Sequence, residues 1–74
     1  MKIIYHIKDL IVRKSVLAEK KITYDDIVKK TGISRITLSR MASGSHNASA
    51  DTIAKLCIYF DVTPEKFMTI IPDE

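Results

Sequence analysis

The sequence contains one cysteine, no tryptophan, two glycines and two prolines in 74 residues. A single thiol, Cys57, cannot form an internal disulfide, which argues against a secreted mini-protein stapled by disulfides and makes a reducing cytoplasm the expected setting. No apolar stretch approaches the roughly 20 residues that a membrane helix requires. Ile3, Ile4, Tyr5 and Ile7 are followed at once by Lys8 and Asp9, which interrupts any signal-peptide core. With 46% hydrophobic and 28% charged residues the composition is that of an ordinary globular chain, so disorder is not expected.

Catalytic and metal-binding patterns are also missing. His6 and His46 stand far apart, and neither has a Cys or carboxylate at ligand spacing, so no metal is expected. There is no Gly-rich phosphate loop and no Ser/His/Asp grouping. A chain this short has little room for a substrate pocket of several hundred Å3. Neither an enzyme, a cofactor nor a small-molecule substrate is therefore expected.

What is present is helical patterning and a lopsided charge. The chain carries 12 Lys or Arg against 9 Asp or Glu, a formal charge of +3. Ten of the basic residues lie in residues 1–44 against four acids, whereas residues 45–74 hold two against five. The asymmetry fits a face that meets a polyanion, and it equally fits a solvated surface.

The spacing predicts five helices in one domain, residues 1–74, an all-α fold. Helix one is expected from about Tyr5 to Lys20, with Ile4, Ile7, Leu10, Ile11, Leu17 and Ala18 on one face and Val12 and Val16 on a second stripe. Residues 2–7 are β-branched enough to form a short strand instead of the helix start. Thr23 is a good N-cap for helix two, with Asp25 and Asp26 in the first turn, i,i+4 from Lys29 and Lys30. Gly32 ends it, Ser34 caps helix three, and Gly44 closes that helix. Ser49 caps helix four, in which Ile53, Leu56, Cys57 and Phe60 make a buried stripe, with Cys57 as a small core residue. Thr63-Pro64-Glu65 starts helix five, in which Phe67, Ile70 and Ile71 face inward and Pro72 is the stop. Met41 and Met68 read as core.

Helices two and three are separated only by Gly32-Ile33-Ser34, which makes residues 23–44 a helix-turn-helix with Ile33 plugged into the core. On helix three Leu38, Met41 and Ala42 fall together and face inward. Arg35, Ile36, Ser39, Arg40 and Ser43 share an outward arc that contains no acid. Such an arc suits a helix entering a phosphate-lined groove. Arg35 and Arg40 can donate bidentately to guanine O6/N7 or to phosphate, Ser39 and Ser43 can bond bases or phosphates, and Ile36 can touch a thymine methyl. Lys20, Lys21, Lys29, Lys30 and His46 read first as solvated residues, with phosphate contact as the alternative.

The stretch from Thr23 to Gly44, with its core Gly32-Ile33-Ser34-Arg35-Ile36-Thr37-Leu38-Ser39-Arg40, resembles the helix-turn-helix of the phage lambda repressor and Cro family, the xenobiotic-response-element type. Thr52–Cys57 and Phe60–Phe67 resemble that family's fourth and fifth helices, and Ile71-Pro72-Asp73-Glu74 resembles the ending of its single-domain subgroup. The resemblance implies a compact five-helix fold. It also implies repression of transcription by a homodimer on a near-palindromic operator in double-stranded DNA, with nucleoid association when bound. By motif position it places DNA contact on Tyr24, Arg35, Ile36, Thr37, Ser39, Arg40 and Ser43. The chain departs from the pattern at Tyr24, where Gln is frequent, at Val28, where Ala is usual, and at Ala42, where Glu is frequent. Surplus apolar residues (Ile3, Ile4, Val12, Val16, Met68 and Ile71) are expected to serve the dimer. The rival reading is a protein-interaction or antitoxin-like module that keeps the fold with reduced DNA binding.

Overall fold

The computed structural model describes residues 1–44 and 47–73. Five helices are joined by a two-stranded antiparallel sheet: β1 Lys2–Tyr5, α1 Ile7–Ala18, α2 Tyr24–Thr31, α3 Arg35–Ser43, α4 Ala50–Phe60, α5 Pro64–Phe67 and β2 Met68–Ile71. The architecture is mostly helical, as expected, with the sheet added to it.

Residues 2–5 resolve as strand, and their partner is a segment expected to be helical. Helix five is a single turn, and the chain extends at Met68 (φ −140°, ψ 154°). The register pairs Lys2 with Ile71, Ile3 with Ile70, Ile4 with Thr69 and Tyr5 with Met68. Thr69, Ile70 and Ile71 are three successive β-branched residues, which favour the pleated over the helical backbone. Strand β1 then supplies the backbone partners that a lone extended segment lacks. Ile70 and Ile71, expected to face inward, are instead 52% and 45% exposed. Phe67 is fully buried, as expected, and Met68 packs partly buried against the core.

Helix α1 is shorter than expected at both ends. Tyr5 belongs to β1, and the His6 amide donates to the Phe67 carbonyl at 2.8 Å, which fixes the turn into the helix. At the other end Glu19 takes a left-handed conformation, φ 55°. Burial is confined to the first half: Ile7 and Leu10 are buried and Ile11 partly so, while Leu17, expected on the core face, is 74% exposed. Ser15 compensates by tying the following segment down. Its hydroxyl donates to the Ile11 carbonyl at 2.7 Å and accepts from the Ile22 amide at 3.0 Å, and Ile22 is buried. Lys14 holds α1 to α4, donating to the Tyr59 carbonyl at 3.2 Å with its ammonium 4.6 Å from the centre of the Tyr59 ring.

The core draws on β1, all five helices and two connecting residues, Ile22 and Ile33: Tyr5, Ile7, Leu10, Ile22, Ile27, Ile33, Leu38, Met41, Leu56, Cys57, Phe60 and Phe67. No buried side-chain polar atom among the described residues lacks a partner. This core clamps α2 and α3 from behind and leaves the outward side of α3 to solvent.

Candidate nucleic-acid interface

The unit that presents α3 is built from caps and one buried turn residue. Thr23 and Asp26 form a capping box: the Thr23 hydroxyl accepts from the Asp26 amide at 3.3 Å, and the Asp26 carboxylate accepts from the Thr23 amide at 2.9 Å. The Thr23 amide chiefly holds the Asp26 carboxyl below its ordinary pKa, outweighing the opposing desolvation, and the Thr23 hydroxyl and nearby Lys20 and Lys29 act in the same direction as the amide. At the far end Gly32 takes φ 75° and its amide returns to the Val28 carbonyl at 2.8 Å. The Thr31 hydroxyl donates to the Ile27 carbonyl at 2.7 Å and accepts from the Ile33 amide at 3.2 Å. Ile33 is thereby turned into the core, 8% exposed, as its apolar character implies. Ser34 then caps α3, its hydroxyl accepting from the Thr37 amide at 3.1 Å.

Leu38 and Met41 of α3 are fully buried and Ala42 packs against them, so the helix has one fixed inner face. Arg35, Ile36, Ser39, Arg40 and Ser43 are all exposed. Ile36 is 66% exposed, an apolar group held out on a polar helix. The Ser43 hydroxyl donates to the Arg40 carbonyl at 3.0 Å. Thr37 is half-buried and takes part in the cap, its hydroxyl oxygen accepting from Ser34 at 2.8 Å. Tyr24, at the start of α2, is half-buried against the core. The structure therefore puts five of the seven sequence-selected residues on the exposed side of α3, while Thr37 and Tyr24 are half-buried. His46 and Ser45 lie outside the described residues, as does Glu74.

A family model described as the Cro/C1-type HTH DNA-binding domain matches residues 14–73. The chain belongs to that family. It is a DNA-binding family and not an enzymatic one, and the five-helix fold described above is consistent with it. Searches of curated proteins and of solved structures find no match.

Two features of this Cro/C1-type domain escaped sequence reasoning. The first is Asp25, read as a partner for Lys29. Its carboxylate instead lies 3.3 Å from the Arg35 guanidinium, with both side chains 68% exposed. Asp26, read as a partner for Lys30, closes the capping box. The outward arc of α3 carries no acid of its own, but α2 brings one to its edge. The second is the hydrogen bond from the Ala48 amide to the Tyr5 hydroxyl, 3.0 Å, which ties the segment after α3 to β1. Asp25 and Arg35 are ten residues apart on different helices, so only the placement of the two helix starts side by side reveals the pair.

Other reactive groups are accounted for within the core. Burial raises the Cys57 thiol above its ordinary pKa, which keeps it protonated and inert. Among the described residues no group of three or more His, Cys, Asp or Glu is placed to hold a metal ion, and no helix is long and apolar enough to cross a membrane.

Proposed function

We propose that this Cro/C1-type domain is a transcriptional repressor that binds a near-palindromic operator as a homodimer, each subunit laying α3 in one major groove. Arg35, Ile36, Ser39, Arg40 and Ser43 read base edges and phosphates, while Tyr24 and Thr37 contact the backbone at the start of each helix. The observation that carries this reading is the outward side of α3: two guanidinium groups, two hydroxyls and an exposed isoleucine on one open helix whose opposite face is locked into the core. That is the donor set for guanine and phosphate, with an apolar group suited to a thymine methyl.

Two half-sites of a dimeric reader lie about 34 Å apart, one helical turn of DNA. The exposed apolar side chains Val12, Val16 and Leu17 on α1, and Ile70 and Ile71 on β2, supply surface for the second subunit. Operator occupancy by such a dimer blocks transcription.

Selection of bound fragments from random duplex DNA tests the proposal in one step. The expected result is an enriched inverted repeat with its half-sites one helical turn apart. Recovery of no enriched sequence, together with no shift of random duplex at low salt, overturns the reading in favour of a protein-interaction module on the same fold.

A further inference from the structure

The ion pair between Asp25 and Arg35 crosses from the first turn of α2 to the first residue of α3. We propose that Asp25 is a positioning residue for base recognition: it orients the Arg35 guanidinium for an acceptor in the groove and keeps it from settling on a phosphate. The inference rests on the DNA-reading role assigned to α3.

Three observations support it. First, little of the fold rests on Asp25. It is exposed, the cap of α2 is made by Thr23 with Asp26, and an exposed ion pair of this kind contributes little to stability. Second, its charge is unfavourable where it sits. An acid at the edge of a surface that approaches phosphates weakens binding to every sequence, so its benefit has to come from discrimination between sequences. Third, the contact engages one end of the fork, Nη1 at 3.3 Å from Oδ1. A guanidinium has five N–H donors, so its remaining edge can still meet the paired acceptors of a guanine. An arginine without such a partner has several rotatable bonds and can reach phosphate as readily as base. One tethered by a carboxylate has fewer orientations, and the desolvation that accompanies docking strengthens the tether.

The test uses the full chain and the sequence enriched from random duplex. Binding is measured by fluorescence anisotropy for the parent, Asp25→Asn, Asp25→Glu, Arg35→Ala and the double variant Asp25→Asn with Arg35→Ala. The set of duplexes covers all four base pairs at each position of one half-site. Asp25→Asn is expected to lose about five-fold or more of the discrimination at the one position where Arg35→Ala also loses it. Its binding to unrelated duplex should be equal to or tighter than the parent's. The plot of log K against log salt should steepen by about 0.9, as the released Arg35 takes a phosphate. Asp25→Glu, which keeps the charge on a longer arm, should recover part of the discrimination, and in the Arg35→Ala background Asp25→Asn should change none of it. A merely structural role would lower the thermal midpoint without acting at a single base pair.

If Asp25→Asn tightens binding to all duplexes alike, with the preference at every position within about two-fold of the parent's, Asp25 is only a repulsive charge and the inference is wrong. Failure of the parent itself to prefer any sequence overturns the DNA-reading role and this inference together, so the two failures are told apart by the parent measurement.

Discussion

The Tyr5 hydroxyl accepts a hydrogen bond from the Ala48 amide at 3.0 Å, joining β1 to the segment between α3 and α4. Tyr5 is 4% exposed, and its ring lies against Phe67 with centroids 5.7 Å apart. One side chain thus links the start of the chain, the end of α5 and the connection between α3 and α4. Tyr5→Phe keeps the ring and removes only the acceptor. It is expected to cost about 0.5–1.5 kcal/mol in urea denaturation and to accelerate amide exchange at Ala48. Tyr5→Ala also removes the ring from the core and should cost about 3–5 kcal/mol. Equal stabilities for Tyr5→Phe and the parent would show that the hydroxyl does not anchor this segment.

Leu38 and Ile36 sit two residues apart on α3 with opposite environments, 0% and 66% exposed. Leu38→Ala should destabilise the domain by about 2–5 kcal/mol through the cavity it leaves. Ile36→Ala should change stability by no more than about 0.5 kcal/mol while weakening binding to the selected duplex. Denaturation and anisotropy on the same samples separate the inner face from the reading face. Normal DNA binding by a folded Ile36→Ala would remove that side chain from the interface.

The helix-turn-helix was readable in the sequence because its determinants are local. Thr23, Gly32, Ser34 and Gly44 each act within a few residues of themselves, and the structure finds a cap or a left-handed turn at every one. The second half of the domain was less legible. Residues 68–71 take their conformation from residues 2–5 at the other end of the chain, and no periodicity within Met68–Ile71 reports that partner. The tail of α1 misled for a similar reason: helical spacing puts Leu17 in line with Leu10, but the core ends before reaching it. Charge pairing failed at Asp25 because i,i+4 rules consider one helix, and the neighbouring helix offered a guanidinium.

Asp26 makes the domain acid-sensitive in a defined direction. Its carboxyl is held below the ordinary value, chiefly by the Thr23 amide in the capping box. A depressed folded-state pKa means that the charged form stabilises the fold. That contribution is complete above the unfolded-state value and is lost as pH falls through the depressed one. Asp26→Asn is therefore expected to melt at a lower temperature than the parent at neutral pH. The gap should narrow below about pH 4 and close in stronger acid. A gap that is the same at every pH would mean that the cap acts without its charge.

Gly32 terminates α2 at φ 75°, and a Cβ built there would meet nothing within 4 Å. The cost of Gly32→Ala is thus conformational, about 1–2 kcal/mol for a left-handed alanine, with no clash added. Because the turn carries Ile33 into the core, relief of that strain would move α3 relative to α2. The expected result is a modest loss of stability, read by denaturation, with a larger proportional loss of binding to the selected duplex. Retained binding at full strength would show that the turn holds its geometry despite the strain.

Arg40 lies one turn further along α3 than Ile36 and shares its exposed side. Its role follows from which signature its removal leaves. Arg40→Ala is expected to weaken binding to the selected duplex by about 1–3 kcal/mol if it reads a base, with the loss concentrated at one base pair. A phosphate contact would instead weaken all duplexes alike and reduce the salt slope by about one. The last turn of α3 also carries Ser43, whose hydroxyl is bonded to the Arg40 carbonyl and so travels with it. Both residues should therefore act on neighbouring positions of the half-site, and base-by-base anisotropy on Arg40→Ala and Ser43→Ala checks this. Parent-like affinity and specificity in both variants would confine the reading surface to the first turn of α3, around Arg35 and Ile36.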